Sequence, residues 1–382
     1  MDLKELLPKA IAHFHELVAY SIKESEKESC KISEGLLEQL EDIRDNIKRI
    51  RHATNAQKEH SIKIGLFGST NRGKSSLINV LAGVKILPEK PIPGWTRASI
   101  ELEHSEVHNY FEITVTEDDD RFERKQFHSV KESYDHLLLF SGTSQQTNPK
   151  KIKVFGPFNS SKILKAGRIL VDTPGVEKSF DRRDVQDLKE GNTDKVSIDT
   201  RQALKTLNST HAVIFCLRAD QLGNASDDEF YLKHLRKRLP LNVIGFRDKV
   251  PEIVDKELEE DAKMKYRTSN KKFFVISAKE EMTKIREIQQ SSNKKTEEKN
   301  SNLERLIVGI NKHINRLENG DEIAEFFIDY NKIISDLSLG IQPHKIRKIE
   351  FINLIEQLEE IASFDKIHWP SKILKNNNWR LR

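Results

Sequence analysis

Cysteine is nearly absent from this chain. Of its 382 residues only Cys30 and Cys216 are cysteines, and they lie far apart in sequence. That argues against a disulfide framework and for a reducing compartment, the cytosol. Long apolar runs are missing too. The longest pure run, Ala212 to Leu217, has the length of a strand, against the roughly 18 residues a membrane span needs. Asp2 and Glu5 fall too early for a secretory leader, so any membrane contact is expected to be peripheral. Charge imbalance is small as well, with 64 basic residues against 60 acidic ones. The molecule as a whole is not a polyanion binder, and nucleic acid is not an expected partner. What the chain does have is charge of both signs, at 32% of residues, as helices with long solvated faces have.

Three regions differ in periodicity. Residues 1–58 read as helix. Leu3, Leu7, Ile11, Phe14 and Val18 recur at spacings of three and four, and Ile32, Leu36, Leu40, Ile43, Ile47 and Ile50 come close to a heptad seam. Residues 59–288 alternate strand-like runs (62–67, 109–115, 151–155, 168–171, 211–217, 241–246 and 272–276) with helical or loop stretches. This predicts an α/β domain, a mostly parallel sheet with helices on both faces. Residues 180–200 and the Ser/Asn/Lys/Glu run of 289–302 read as flexible, the second as a hinge. Residues 303–382 are helical again, with stripes such as Leu306, Ile310 and Ile314. The flanking helices either pair into one bundle at the domain's edge or pack separately on the nearest sheet face.

The chemistry begins at Gly68-Ser69-Thr70-Asn71-Arg72-Gly73-Lys74-Ser75, a full match to G-x-x-x-x-G-K-[ST]. A strand-like run precedes it and a helical one, opened by Ser76, follows, which is the context a phosphate loop requires. Its backbone N–H groups close around phosphates, Lys74 reaches the β- and γ-phosphates, and Ser75 binds Mg²⁺. A second signal, Asp172-Thr173-Pro174-Gly175, ends an apolar run. The carboxylate of Asp172 is expected to hold the metal through water, and the Gly175 N–H to meet a γ-phosphate. Thr96, in the loop after the first helix of the domain, has the hydroxyl a switch threonine needs for Mg²⁺ and a backbone to hold the attacking water; it is otherwise an ordinary loop residue. At the base, Gly245-Phe246-Arg247-Asp248 keeps the aspartate of the N/T-K-x-D guanine reader and loses its other two residues. Asp248 either reads the guanine edge or caps a turn. Ser277-Ala278-Lys279 matches the loop that reads the guanine oxygen. GTP is therefore the expected nucleotide.

These residues resemble a dynamin-type large GTPase, most of all the bacterial dynamin-like proteins. The resemblance rests on Asn71 to Asn79, on Thr96-Arg97 followed by Ile100-Glu101-Leu102, on Leu164 to Gly167, and on Ala219-Asp220-Gln221. It covers about 55–290 by motif and the flanking helices by arrangement. It implies GTP hydrolysis to GDP, a homodimer formed through the GTPase domain across the nucleotide, a neck bundle that moves, and a membrane surface or a second dynamin-like subunit as partner. It also implies that Asn71 orients catalysis, in some relatives with K⁺. Arg72 either adds a positive group or is a solvated loop arginine. Membrane fission by this chain alone is not expected, because only about 80 residues follow the hinge. Two other readings keep the site: an assembly GTPase of the Era or TrmE kind acting on RNA or ribosomes, and a low-turnover GTP-binding subunit of a larger complex. The basic, tryptophan-bearing tail from Trp369 to Arg382 could touch an anionic membrane, a partner or the bundle.

Overall fold

The computed structural model describes residues 19, 41–48, 62–89, 98–117, 121–140, 149–175, 198–222, 225–235, 238, 240–251, 273–290 and 301–318. The chain divides into two compact units, one of Lys58–Ile314 and one of Met1–Gln57 with Asn315–Arg382. In the second unit, residues 41–48 are helical, with Ile43 and Ile47 buried. The remaining N-terminal stripes, the stripes beyond 318 and the tryptophan tail lie outside the described residues. The pairing of the two ends into a bundle is therefore an expectation only.

The first unit is a nine-stranded sheet in the order β4-β3-β5-β2-β6-β1-β7-β8-β9. The strands are β1 (Ile62–Phe67), β2 (Ser99–His104), β3 (Phe111–Glu117), β4 (Phe122–Phe127), β5 (Pro149–Gly156), β6 (Arg168–Asp172), β7 (Ala212–Arg218), β8 (Leu241–Gly245) and β9 (Phe273–Ile276). β6, β1, β7, β8 and β9 run parallel, and β2 pairs antiparallel with β6. Parallel strands covered on both faces must be apolar throughout, which is why β7 reads Ala-Val-Ile-Phe-Cys-Leu with all six side chains buried. The seven strand-like runs all appear, β8 stopping one residue early at Gly245. Two strands lacked a periodic signal. β4 is exposed along most of its length and carries charges as an edge strand does, so no alternation marks it. β2 entered the sequence reading only through the resemblance.

Helices α1 (Lys74–Ala82), α2 (Val130–Leu138), α3 (Lys162–Lys165), α4 (Ile198–Ser209), α5 (Ala225–Phe230), α6 (Ala278–Gln290) and α7 (Asn302–Glu318) accompany the sheet. α5 runs directly into a π-helical turn at Tyr231–Leu235. α2 starts with a capping box: Ser129 Oγ accepts from Glu132 N–H, and the Glu132 carboxylate accepts from Ser129 N–H. α1 ends at Gly83, whose φ of 72° lets its N–H bond back to the carbonyls of Asn79 and Val80. Two stretches expected to be loose are partly ordered. α4 takes in residues 198–200, and α6 takes in Gln289 and Gln290 of the expected hinge. Residues 176–197 and 291–300 lie outside the described residues.

Under β7 sits an aromatic core of Phe67, Phe215, Phe230 and Tyr231, with Leu207, Leu235 and Ile244. The Phe215 and Tyr231 rings lie 5.0 Å apart, and those of Phe67 and Phe230 lie 6.3 Å apart. This core fastens α4 and the α5 segment to the strand that backs the phosphate loop. Truncating Phe215 to Ala removes a fully buried ring from this core and is expected to cost about 3–5 kcal/mol. Leu139→Ala, at a side chain 64% exposed, is expected to stay within about 0.5 kcal/mol. Urea unfolding followed by circular dichroism compares the two.

Candidate nucleotide site

The parallel register brings the carboxyl ends of β1, β6, β7 and β8 to one edge: Leu66 pairs with Asp172, Phe67 with Phe215, and Arg218 with Gly245. Ligands of such sheets bind outside those ends. Here the chain leaves β1 into the phosphate loop through three positive-φ residues: Gly68 (144°), Asn71 (63°) and Gly73 (79°). At Gly68 a side chain is barred twice, by φ and by the Cys216 carbonyl, which a Cβ would meet at 2.5 Å. Gly73 caps α1 without a side-chain hydrogen bond, so the first N–H groups of the helix are left to a ligand.

Lys74 is folded back on its own loop, donating to the carbonyls of Gly68 and Ser69, each at 3.0 Å. Burial lowers its pKa, opposed by the nearby Asp172 and Asp227 carboxylates. A polyphosphate entering the loop would add counter-charge to this buried ammonium. Ser75 Oγ donates to Asp172 Oδ2 at 2.6 Å. Asp172 Oδ1 is buried with no partner, and burial pushes the carboxyl up to about 6. A hydroxyl beside a carboxylate with one buried oxygen unpaired is a donor set that fits Mg²⁺, with Asp172 acting through water. The next residue, Thr173, anchors the strand end by donating to the Leu66 carbonyl. Gly175 lies against the loop so closely that a Cβ would sit 2.7 Å from Thr70 N. Ser75, Asp172 and Gly175 are thus gathered at the phosphate loop in the ligand-free chain.

The switch threonine Thr96 lies outside the described residues. The strand that follows it starts level with Asp172, because Ile100 pairs with that residue. Asn79 fixes the chain just after α1: its amide donates to Leu87 O and to Glu89, and its carbonyl accepts from the N–H groups of Ile86 and Leu87. All its polar capacity is spent in a site with no exposure.

At the base end, Asp248 and Ser277-Ala278-Lys279 meet. Ser277 Oγ donates to the Asp248 carbonyl at 2.7 Å, and Lys279 Nζ pairs with the exposed Asp248 carboxylate at 2.7 Å. Asp248, Ala278 and Lys279, together with Asn71, Arg218 and Phe246, line a cavity of about 770 Å³ that runs from the loop to α6.

Arg72 is corrected. It is no solvated loop residue: its side chain is 1% exposed, and Nε donates to Asp227 Oδ2 at 2.5 Å. Sequence reading missed Asp227 altogether, since it lies in the acidic stretch Ser226 to Glu229, 155 positions away, and matches no motif. Gln221 was noted for resemblance alone, and it too accepts from Arg72.

Fold and site together define a phosphate-loop nucleotide-binding domain of the α/β class. Residues 64–245 match the family model of the dynamin family. Human mitofusin-2 is 24% identical over 140 residues, 37% of this chain and 17% of that protein. The tRNA modification GTPase MnmE of Erwinia tasmaniensis is 27% identical over 158 residues, 38% of this chain and 35% of that one. Among solved structures, an oligomerised bacterial dynamin pair described as sensing and tethering membranes aligns with 94% of this chain and 49% of its own, at 18% identity and a TM-score of 0.45. This chain thus spans less than half the length of each of these relatives.

The buried carboxyl has a consequence for stability. Its folded pKa of about 6 lies above the ordinary carboxyl value of 3.8, so the native state holds its proton more tightly than the unfolded chain. In the ligand-free protein Asp172 therefore lowers stability as pH rises from about 4 through 6. Asp172→Asn should flatten that part of the profile. Thermal unfolding of both proteins from about pH 4 to about pH 7 reads the difference.

Proposed function

We propose that this protein binds GTP with Mg²⁺ and hydrolyses it to GDP and phosphate as a dynamin-like GTPase. The observation that carries the reading is the Ser75–Asp172 pair with its unpaired carboxylate oxygen, set beside a phosphate loop on which Gly175 already packs. Ser75, Asp172 and Thr96 would hold the ion, which neutralises charge on the β- and γ-phosphate oxygens. Lys74 leaves the carbonyls of Gly68 and Ser69 for the phosphates. Thr96 positions the attacking water, and the Gly175 N–H receives charge developing on the γ-phosphate. Asn71, held left-handed at the rim of the loop, presents its side chain where K⁺ acts in some cation-dependent relatives. Loop residues 68–76 hold the phosphates, and Asp248 with Ser277, Ala278 and Lys279 reads the guanine. Dimerisation of GTPase domains across the nucleotide and motion of a helical neck complete the reading. Its site of action would be a peripheral membrane surface or a partner dynamin-like subunit in the cytosol.

The match to MnmE favours one other reading, an assembly GTPase acting on RNA or ribosomes. The acidic Glu356, Glu359 and Glu360 speak against an RNA surface after the GTPase domain.

With Mg²⁺ and K⁺ the purified protein should release phosphate from GTP, and Lys74→Ala should lower the rate at least about 100-fold by removing a charge from the transferring phosphoryl group. Asn71→Ala should abolish any preference for K⁺ over Na⁺. Light scattering with GDP and aluminium fluoride should report a dimer, and liposome sedimentation with a GTP analogue should report membrane binding. Absence of phosphate release, with Lys74→Ala indistinguishable from the parent, would sink the enzyme reading.

A further inference from the structure

Arg72, expected either to add a positive group or to lie solvated, is instead engaged by a buried carboxylate. Arg72 Nε donates to Asp227 Oδ2 at 2.5 Å, and Arg72 Nη1 donates to Gln221 Oε1. Asp227 Oδ1 accepts the Ser69 backbone N–H at 2.8 Å. One carboxylate thereby grips the loop at two points three residues apart, once through backbone and once through a cation. The two charged side chains are 1% and 0% exposed. At the end of β7, Arg218 donates to the carbonyl of Asn71 at 3.3 Å. Ser69, Asn71 and Arg72 are held by Arg218, Gln221 and Asp227, and α5, which carries Asp227, runs into Phe230 and Tyr231 of the aromatic core.

We propose that Asp227 is a positioning residue for nucleotide binding, acting through Ser69 and Arg72 to hold the phosphate loop open in its binding shape. The inference rests on the nucleotide reading above. A loop whose N–H groups converge on a ligand has little to bond to internally, so an empty loop tends to collapse onto its own carbonyls. Lys74 already caps two of them. Asp227 supplies the opposing hold from behind. It also accounts for the arginine, since a buried guanidinium needs a buried counter-charge. The contribution is made before the ligand arrives, so it affects GDP and GTP alike. An arginine acting on the γ-phosphate would instead favour GTP alone.

Titration of the full chain with fluorescent GDP and with a fluorescent non-hydrolysable GTP analogue, both with Mg²⁺, tests this. Asp227→Asn keeps an acceptor for Ser69 and strands the Arg72 charge. It should weaken both nucleotides by a similar factor, about tenfold or more, and raise KM for GTP more than it lowers kcat. Arg72→Met with Asp227→Leu removes both buried charges and should be less impaired than the product of the two single effects. If Asp227→Asn does not fold, Asp227→Glu displaces the carboxylate with its charge retained and should weaken both nucleotides in the same way. Parent-like affinity in the folded variant, with only the ligand-free melting temperature lowered, would make Asp227 purely structural. Loss of the GTP analogue alone in Arg72→Met would return the arginine to the phosphates. Either result overturns the proposal. Failure of the parent protein to bind fluorescent GDP would instead count against the nucleotide reading itself.

Discussion

A phosphate loop aims its backbone N–H groups at a ligand that is present only part of the time, so its shape has to be maintained by contacts on its far side. In this protein that requirement organises the centre of the domain. Gly68 passes the Cys216 carbonyl at a distance no side chain allows, Asn71 and Gly73 turn left-handed, and the buried Arg72 spans the gap to α5. The strand beneath, β7, is apolar on both faces and carries the aromatic core that fixes the segment holding the loop. Stability and site geometry are therefore coupled: the packing around Phe215 and Tyr231 decides where Asp227 stands.

The same economy governs the metal side. A buried carboxylate with an unpaired oxygen is costly, and the cost shows in the raised pKa of Asp172. Proteins hold such a group where a ligand relieves it. A single hydroxyl, that of Ser75, satisfies the other oxygen and is itself the expected metal ligand. The burial that makes the group uncomfortable when empty is what would make it a strong partner for a hydrated cation.

Much of the site was legible because its chemistry is local. Gly68 to Ser75 and Asp172 to Gly175 are contiguous runs whose spacing encodes a backbone shape, and that shape can be read one-dimensionally. The parallel strands were equally plain, since burial on both faces leaves uninterrupted apolar runs. The edge strand β4 was not, because solvent on both faces removes any pattern, and β2 carries Glu101 and Glu103 among its apolar residues. At the base, Asp248 and Ser277 to Lys279 were found separately, as two short matches, and the hydrogen bonds between them belong to the folded chain.

Composition and motif alone determined that this chain is an α/β phosphate-loop protein and singled out Asp172 and the Ser277 to Lys279 loop, because each of those features is encoded within a few consecutive residues. Only the tertiary structure decided what Arg72 does. Its sequence neighbours are a phosphate loop and suggest an anion, but its nearest charge is a carboxylate 155 residues further on. Sheet order brings the two together, and no local pattern records which side of a loop a long side chain will take. Burial settles it, since a guanidinium removed from water must find its counter-charge wherever the fold has placed one.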